Sequence, residues 1–202
     1  TAVLSPGSDY DARLKINYTE KFIDNGGGDT QIADCPGPLV SFTGLPVFDP
    51  AEDCRLNRNT YISWMDPAAF PSLGNDGVPF TDSRSWFGSL EQNLYLGALT
   101  LTSLTCYYNY RQLATGNGAE VSGFNPLSPR NTFAHELFTQ EIRLLSDFEG
   151  PLDFMIGGFL EDAKMRNHVR ILGNTAIMLP ETLQDVIHTI DIFSMSGFGQ
   201  GI

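Results

Sequence analysis

The side chains that could carry acid–base or metal chemistry are scattered along the sequence. His135 is followed by Glu136, but the second histidine that a zinc-protease motif requires is missing. His168 and His188 have no spacing typical of metal ligands, and each is expected to be a solvated loop histidine. The sequence therefore predicts no catalytic residues, no metal centre and no cofactor.

The largest group of carboxylates lies in one polar stretch of the N-terminal half. Its members are Asp24, Asp29, Asp34, Asp49, Glu52 and Asp53. Oxygen ligands suit hard cations, so this group could attract a cation or a metal complex. A solvated loop is the interpretation we favour, and the sequence alone assigns no ligand-binding residue.

Two of the three cysteines lie in that same stretch, which is rich in Pro and Asp. Cys35 and Cys54 are predicted to form a disulfide, a bond that suits an oxidising compartment. Closing a loop of this size stabilises a fold by roughly 3 kcal/mol in the chain-entropy model. Cys106 lies far away in a predicted strand and is expected to stay unpaired.

The composition favours a turn-rich β protein. The 202 residues include 20 Gly and 12 Pro, and only 18% are charged. The net charge of −12 argues against a nucleic-acid partner, because neutralising phosphates takes clustered Lys and Arg. No run of about 18 apolar residues is present, whereas a membrane-spanning strand needs only about 9–11 alternating residues.

Alternation of apolar and polar residues predicts six long strands, because a period of two places every second side chain on one sheet face. The predicted strands are residues 10–21, 82–96, 99–111, 136–148, 152–161 and 189–200. Long loops are predicted over residues 24–81, 112–134 and 162–188, and tight turns at Gly97-Ala98 and Glu149-Gly150-Pro151. Pro180 is well placed to begin one or two helical turns over residues 180–187.

In four of the six predicted strands one face is almost purely apolar, and the phase of strand 99–111 is less regular. Even-numbered residues form this face on the first strands, including Leu14 and Leu90. On strand 99–111 it is assigned to Leu104, Cys106, Tyr108 and Tyr110, and on the last strand to Ile190, Ile192 and Phe198. The opposite face carries the residues predicted to line a barrel lumen: Arg13, Lys15, Glu141, Arg143, Asp153 and Glu161.

The order of turns and loops separates two architectures. All the tight turns must lie at one end of the sheet and all the long loops at the other. That arrangement favours an antiparallel transmembrane β-barrel with short periplasmic turns, long extracellular loops and a polar lumen. The alternative is a soluble extracellular β-sandwich that buries the apolar face and binds a carbohydrate or another protein.

Several stretches resemble the barrel domain of TonB-dependent outer-membrane receptors. They are LTLTSLTCYYNY (Leu99 to Tyr110), FTQEIRLLSDFEGPLDFMIGGFLED (Phe138 to Asp162) and FSMSGFGQ (Phe193 to Gln200). The runs DYDARLKINYTEK and GNDGVPFT fit the same group. Cys106 departs from the pattern, which usually has Gly at that place. Six strands also cannot close a barrel of the roughly 22 strands typical of the family.

The resemblance implies that residues 1–202 are a partial barrel domain in a bacterial outer membrane. Receptors of this family import scarce solutes such as ferric siderophores by energy-coupled uptake. The implied partners are the rest of the barrel, a plug domain, a TonB-type energy-transducing protein, outer-membrane lipid and the imported solute. No catalysis is implied, and the resemblance does not identify the solute.

Overall fold

The computed structural model describes residues 1–24, 55–57, 65–116 and 126–201. These residues form one antiparallel sheet in which each of seven strands pairs with its neighbour in sequence. The strands are β1 (Ala2–Leu4), β2 (Tyr10–Asp24), β3 (Phe80–Leu96), β4 (Leu99–Thr115), β5 (Leu127–Ser146), β6 (Phe154–Gly173) and β7 (Thr182–Gly201). The predicted all-β fold of antiparallel strands is confirmed, and the sheet is open, with β1 and β7 at its edges.

The strands are longer than the sequence pattern suggested. β4 runs on to Thr115 and β5 begins at Leu127, so most of the loop predicted over residues 112–134 is strand. Likewise β6 ends at Gly173 and β7 begins at Thr182, so the predicted loop 162–188 is also wrong. The alternation of apolar and polar residues continues in the strand parts of both segments. There, however, the apolar residues lie on the sheet face that carries polar residues nearer the tight turns.

Short helical turns occur only in the connections of the described residues. They are 3₁₀ turns at Asn75–Gly77 and Thr175–Ile177. The helical turns predicted over residues 180–187 are therefore wrong, because β7 already begins at Thr182. No helix in the described part of the chain is long and apolar enough to cross a membrane.

Two tight connections are explained by local chemistry. Gly97 has a φ of 66°, which side chains rarely tolerate, and it allows the two-residue turn between Leu96 and Leu99. In the other connection, Asp153 Oδ1 accepts hydrogen bonds from the Phe148 backbone N–H (2.8 Å) and the Ser146 hydroxyl (3.0 Å). Both turns lie at the same end of the sheet, as predicted.

The pairing register defines the two faces of the sheet, because residues directly opposite each other share a face. Face 1 consists of the even-numbered residues of β1, β2, β3, β5 and β6 and the odd-numbered residues of β4 and β7. Face 2 consists of the remaining strand residues. The register shifts once, between Ile171 and Leu172 in the pairing of β6 with β7.

The register corrects two face assignments made from the sequence. Leu101 stands opposite both Leu94 and Leu144, so it belongs to face 1. The residues predicted to share that face, Leu104, Cys106, Tyr108 and Tyr110, lie on face 2 instead. On β7 the same correction applies to Ile190, Ile192 and Phe198. Both strands change phase near their middle, so one parity cannot describe the whole strand.

A small apolar core lies at the end of the sheet opposite the tight turns. Residues 65–79 fold back there and pack on the end of β6. The buried cluster consists of Met65, Ala69, Phe70, Leu73 and Leu172. The Arg130 guanidinium donates to the Ser72 carbonyl (2.7 Å), and the Thr175 backbone N–H donates to the Ala69 carbonyl (3.0 Å). Part of the long segment 24–81 is therefore ordered structure.

Candidate functional site

One row of mutually opposite face 1 residues divides the sheet. The row consists of Ile16, Gly88, Tyr107, Phe138, Asp162 and Phe193. We call the strand residues from this row to the tight turns the turn half, and those beyond it the loop half. Each face has a different chemical character in the two halves.

In the turn half, face 1 is apolar and uncovered. Large side chains stand exposed there, including Ile16 (62%), Ile142 (51%) and Met195 (70%). Polar residues in this region hydrogen-bond to one another. The Thr105 hydroxyl donates to Gln140 Oε1 (2.6 Å), and the Gln140 amide donates to Ser103 Oγ (3.0 Å). These hydrogen bonds pair the polar side chains of this region with one another across β4 and β5.

In the loop half, face 1 carries charged side chains, together with the aromatic pairs Tyr18–Trp86 (centroids 4.5 Å apart) and Phe22–Phe80 (5.6 Å) on β2 and β3. Arg84 bridges Glu20 (3.0 Å) and Asp82 (3.6 Å), and His168 Nε2 lies 2.6 Å from Asp185 Oδ1. Further along the sheet Arg111, Lys164 and Arg166 border an open cleft of about 620 Å³. The sequence pattern missed this region because most of it was assigned to loops. The available signal was a polar, ionisable side chain at every second position of Asp162, Lys164, Arg166, His168 and Arg170.

In the turn half, face 2 is polar and holds most of the predicted lumen-facing residues. Five of the six share it: Arg13, Lys15, Glu141, Arg143 and Glu161. The sixth, Asp153, lies in the connection before β6 and closes that turn. Arg143 pairs with Glu141 on its own strand (3.1 Å) rather than across strands. The Asn93 amide also donates to Asp11 (2.8 Å), so this surface carries a polar network.

In the loop half, face 2 carries an aromatic cluster. Tyr108 and Tyr110 stack with ring centroids 6.4 Å apart, and His135 meets Tyr108 edge-on at 5.8 Å. Phe133 lies 6.1 Å from Tyr110. Ring faces of this kind suit sugar rings, aryl groups and cations, because each ring combines apolar area with a negative π face. This cluster is the candidate solute-binding surface.

Polar groups flank the aromatic cluster. A cleft of about 430 Å³ borders Tyr110 and is lined by Lys21, Ser83 and Gln112 among others. On the other side, Asn131 Oδ1 and Asn167 Oδ1 are buried and have no hydrogen-bond partner within the described residues. A buried acceptor without a donor is rare in folded proteins.

The histidines and cysteines do not form a reactive centre in the described ranges. His135 belongs to the aromatic cluster. His168 and His188 lie on β6 and β7, which corrects their expected place in a loop. No three His, Cys, Asp or Glu side chains among the described residues converge as metal ligands. Cys106 is a free thiol, whereas Cys35, Cys54 and most of the acidic stretch lie outside the described residues.

Comparison of the chain with protein-family models, with curated protein sequences and with solved structures finds no match. The functional conclusion therefore depends on the geometry of the two faces.

Proposed function

We propose that this chain forms part of the wall of an outer-membrane β-barrel receptor of the TonB-dependent type. Such a receptor takes up a scarce solute, for example a ferric siderophore. Face 1 of the turn half contacts lipid, and face 2 faces the lumen. The remaining strands and a plug complete the barrel, and a TonB-type protein supplies the energy.

The observation that carries this proposal is the exposed apolar surface on face 1 of the turn half. It extends from Tyr10 to Ile16 on β2, about 20 Å of strand, and crosses the sheet to β7. A contiguous apolar patch of this extent is unusual on a protein surrounded by water. Outer-membrane barrels carry an apolar band about 25 Å tall on their outer face, and their lumen is polar.

The aromatic cluster on face 2 supports a receptor role for the loop half. In a barrel it would line the mouth on the side of the long loops, where Tyr108, Tyr110 and His135 could contact an entering solute. Their rings offer flat apolar area, and the tyrosine hydroxyls offer hydrogen bonds. Face 1 of the same half is charged, as expected for strands that continue beyond the hydrocarbon into water.

The rival architecture is a soluble sandwich with face 1 of the turn half in its core. A sandwich needs a second sheet about 10 Å away that covers this face. Within the described residues there is one sheet only, and Ile16, Ile142 and Met195 remain exposed. Nothing in the described structure favours the sandwich over the barrel.

Spin labelling along β3 tests the proposal directly. Single cysteines are introduced at residues 82–96 of the membrane-extracted protein, with its natural cysteines replaced by serine. Collision of each label with oxygen, which enters lipid, is compared with collision with a water-soluble nickel chelate. Labels at Leu90 and Leu94 should be accessible to oxygen, and labels at Ser89 and Glu91 to nickel.

The two architectures give different results in the same scan. A sandwich would protect Leu90 and Leu94 from both reagents, because those side chains would lie in a dry core. In the loop half, labels at Asp82 and Arg84 should change to nickel accessibility although they share face 1 with Leu90. Protection at Leu90, or oxygen accessibility at Arg84, would contradict the proposed membrane boundary.

A further inference from the structure

The cations of this acidic chain are concentrated on one part of face 1. Five of its 12 Lys and Arg residues lie in the loop half on β4, β5 and β6. They are Arg111, Arg130, Lys164, Arg166 and Arg170. The carboxylates on the same face of β4 to β7 in this half are Glu136, Asp185 and Asp191. This patch is therefore net positive in a chain whose net charge is −12.

Two of these cations have no carboxylate partner. Lys164 stands between Glu136 and Asp191 in the register, yet the salt bridges of the described residues include neither Lys164 nor Arg166. Both side chains are exposed. Arg111 makes only a long contact of 3.9 Å with Glu136. The cleft of about 620 Å³ is lined by these three cations and by two carboxylates, Glu136 and Asp191, and is therefore net positive by one charge, with Lys164 and Arg166 outside any ion pair of the described residues.

The position of these cations along the strands indicates which kind of anion they could bind. Lys164 follows the dividing row by two residues and Arg166 by four, roughly 7–13 Å along the strand. The row itself carries Tyr107, Phe138 and Phe193, and aromatic residues of this kind collect where hydrocarbon meets headgroups. A phosphate attached to a lipid whose tails contact the turn half would lie at the height of the cleft.

We propose that the cleft around Arg111, Lys164 and Arg166 binds the phosphate headgroup of an anionic outer-membrane lipid. The inference rests on the proposed membrane position of the turn half. Arginine gives two parallel hydrogen bonds to phosphate oxygens, and lysine adds a mobile point charge. Charge complementarity and direct continuity with the apolar surface favour a lipid over a soluble anion, which has no tails to hold it there.

The test measures which lipids stay with the membrane-extracted protein. The protein is reconstituted into nanodiscs of phosphatidylcholine with a minority of phosphatidylglycerol, and retained lipid is counted by native mass spectrometry. The variant combines Arg111→Gln, Lys164→Gln and Arg166→Gln. The matched control combines Arg13→Gln, Lys15→Gln and Arg143→Gln, which removes the same charge from face 2 of the turn half.

The wild type and the control should retain phosphatidylglycerol in preference to phosphatidylcholine. In the variant, the ratio of retained phosphatidylglycerol to phosphatidylcholine should fall at least tenfold. Each cation near an anionic surface contributes about a fivefold factor to lipid binding at low salt. Equal preference in the variant and wild type would overturn the proposal, as would equal losses in the variant and control. Displacement of the lipid by millimolar inorganic phosphate would also overturn it, because the site would then belong to a soluble anion.

The β3 labelling scan separates this proposal from the one on which it rests. If Leu90 is accessible to oxygen but lipid preference does not depend on the three cations, only the headgroup site is wrong. If Leu90 is protected from oxygen, the membrane position is wrong and the headgroup site falls with it.

Discussion

The turn half and the loop half of the sheet follow opposite rules on the same strands. In the turn half, face 1 is apolar and face 2 is polar, as Leu144 and Arg143 illustrate on β5. In the loop half of β4 to β7, face 1 carries the charged side chains and face 2 the aromatic ones, as Glu136 and His135 illustrate on β5. No strand break separates the halves. Side chains alternate between the two faces along the whole strand, and only the type of residue found on each face changes.

This reversal is not the pattern of a sheet that covers a single water-excluded core. A sheet that covers a water-excluded core keeps one apolar face along its whole length. Here the side chains of face 1 change from apolar to mostly polar and charged part-way along strands of up to 20 residues. Under the proposed function, a bilayer surface crossing the sheet near Tyr107 and Phe138 would account for that change. The five predictions below concern the two halves and the turns that join their strands, from the largest expected effect to the smallest.

Residues 1–202 expressed alone in water, without detergent, should not behave as a monomer. β7 presents an unpaired edge of 20 residues, and face 1 of the turn half presents bare apolar surface. Sedimentation velocity should show aggregates or edge-paired oligomers. A monodisperse 22.2 kDa species with cooperative unfolding would instead favour the β-sandwich.

Leu90→Arg should destabilise the membrane-embedded protein by about 2–4 kcal/mol, because it places a charge near the centre of the apolar surface. Ile187→Arg, on face 1 of the loop half, should change stability by less than about 1 kcal/mol. Lys15→Ala on face 2 should also have little effect. Urea titration in lipid vesicles measures all three, and equal costs for the two arginine variants would mean that the halves do not differ.

Gly157→Ala should destabilise by about 1–3 kcal/mol through overpacking. A Cβ at Gly157 would lie 2.5 Å from the Phe198 ring and 2.7 Å from the Ile142 carbonyl oxygen. The neighbouring Gly158 points to face 1, where the nearest atom to a Cβ is 3.7 Å away, so Gly158→Ala is the control. The same urea titration should separate the two alanine variants. A cost at Gly158 that matches the cost at Gly157 would show that ring contact is not the cause.

Gly97→Ala should destabilise by roughly 1 kcal/mol, because residue 97 has a left-handed φ of 66°. Gly150→Ala provides the control in the other tight connection, since Gly150 is outside the positive-φ region and has open space around it. Unfolding midpoints of the two variants are compared at equal protein and lipid concentrations. A larger loss of stability in Gly150→Ala than in Gly97→Ala would show that the left-handed φ of Gly97 is not the constraint.

The Arg84–Glu20 pair should contribute only about 0.2–1 kcal/mol, because both side chains are more than half exposed. A double-mutant cycle with Arg84→Gln and Glu20→Gln measures the coupling at low and high salt. Screening should remove most of it at high ionic strength. A coupling that survives high salt would indicate that this part of face 1 is shielded from water.

The turn half of β2 and β3 could be predicted from the sequence, whereas the face assignments of β4 and β7 could not. Residues 10–21 and 82–96 alternate with one phase, and Gly97 marks the turn, so local patterns were sufficient there. The loop half could not be predicted in this way. Beyond Asp162 the apolar residues of β6 move to the other parity, and this break in the pattern made the segment resemble a loop. β1 was missed because three residues carry no measurable period. The aromatic cluster also depends on register, since Tyr108 and His135 meet only through the pairing of β4 with β5.

The phase change also has a consequence for how the strands find their partners. A slip of one residue between neighbouring strands would put Arg143 with the apolar residues and Ile142 with the polar ones, and would reverse the loop half as well. A slip of two residues would keep the faces but shift the phase boundary of one strand by about 7 Å against the next. The position of the phase change along each strand therefore helps to fix its register with the neighbouring strand. A slip would mismatch side chains in both the turn half and the loop half.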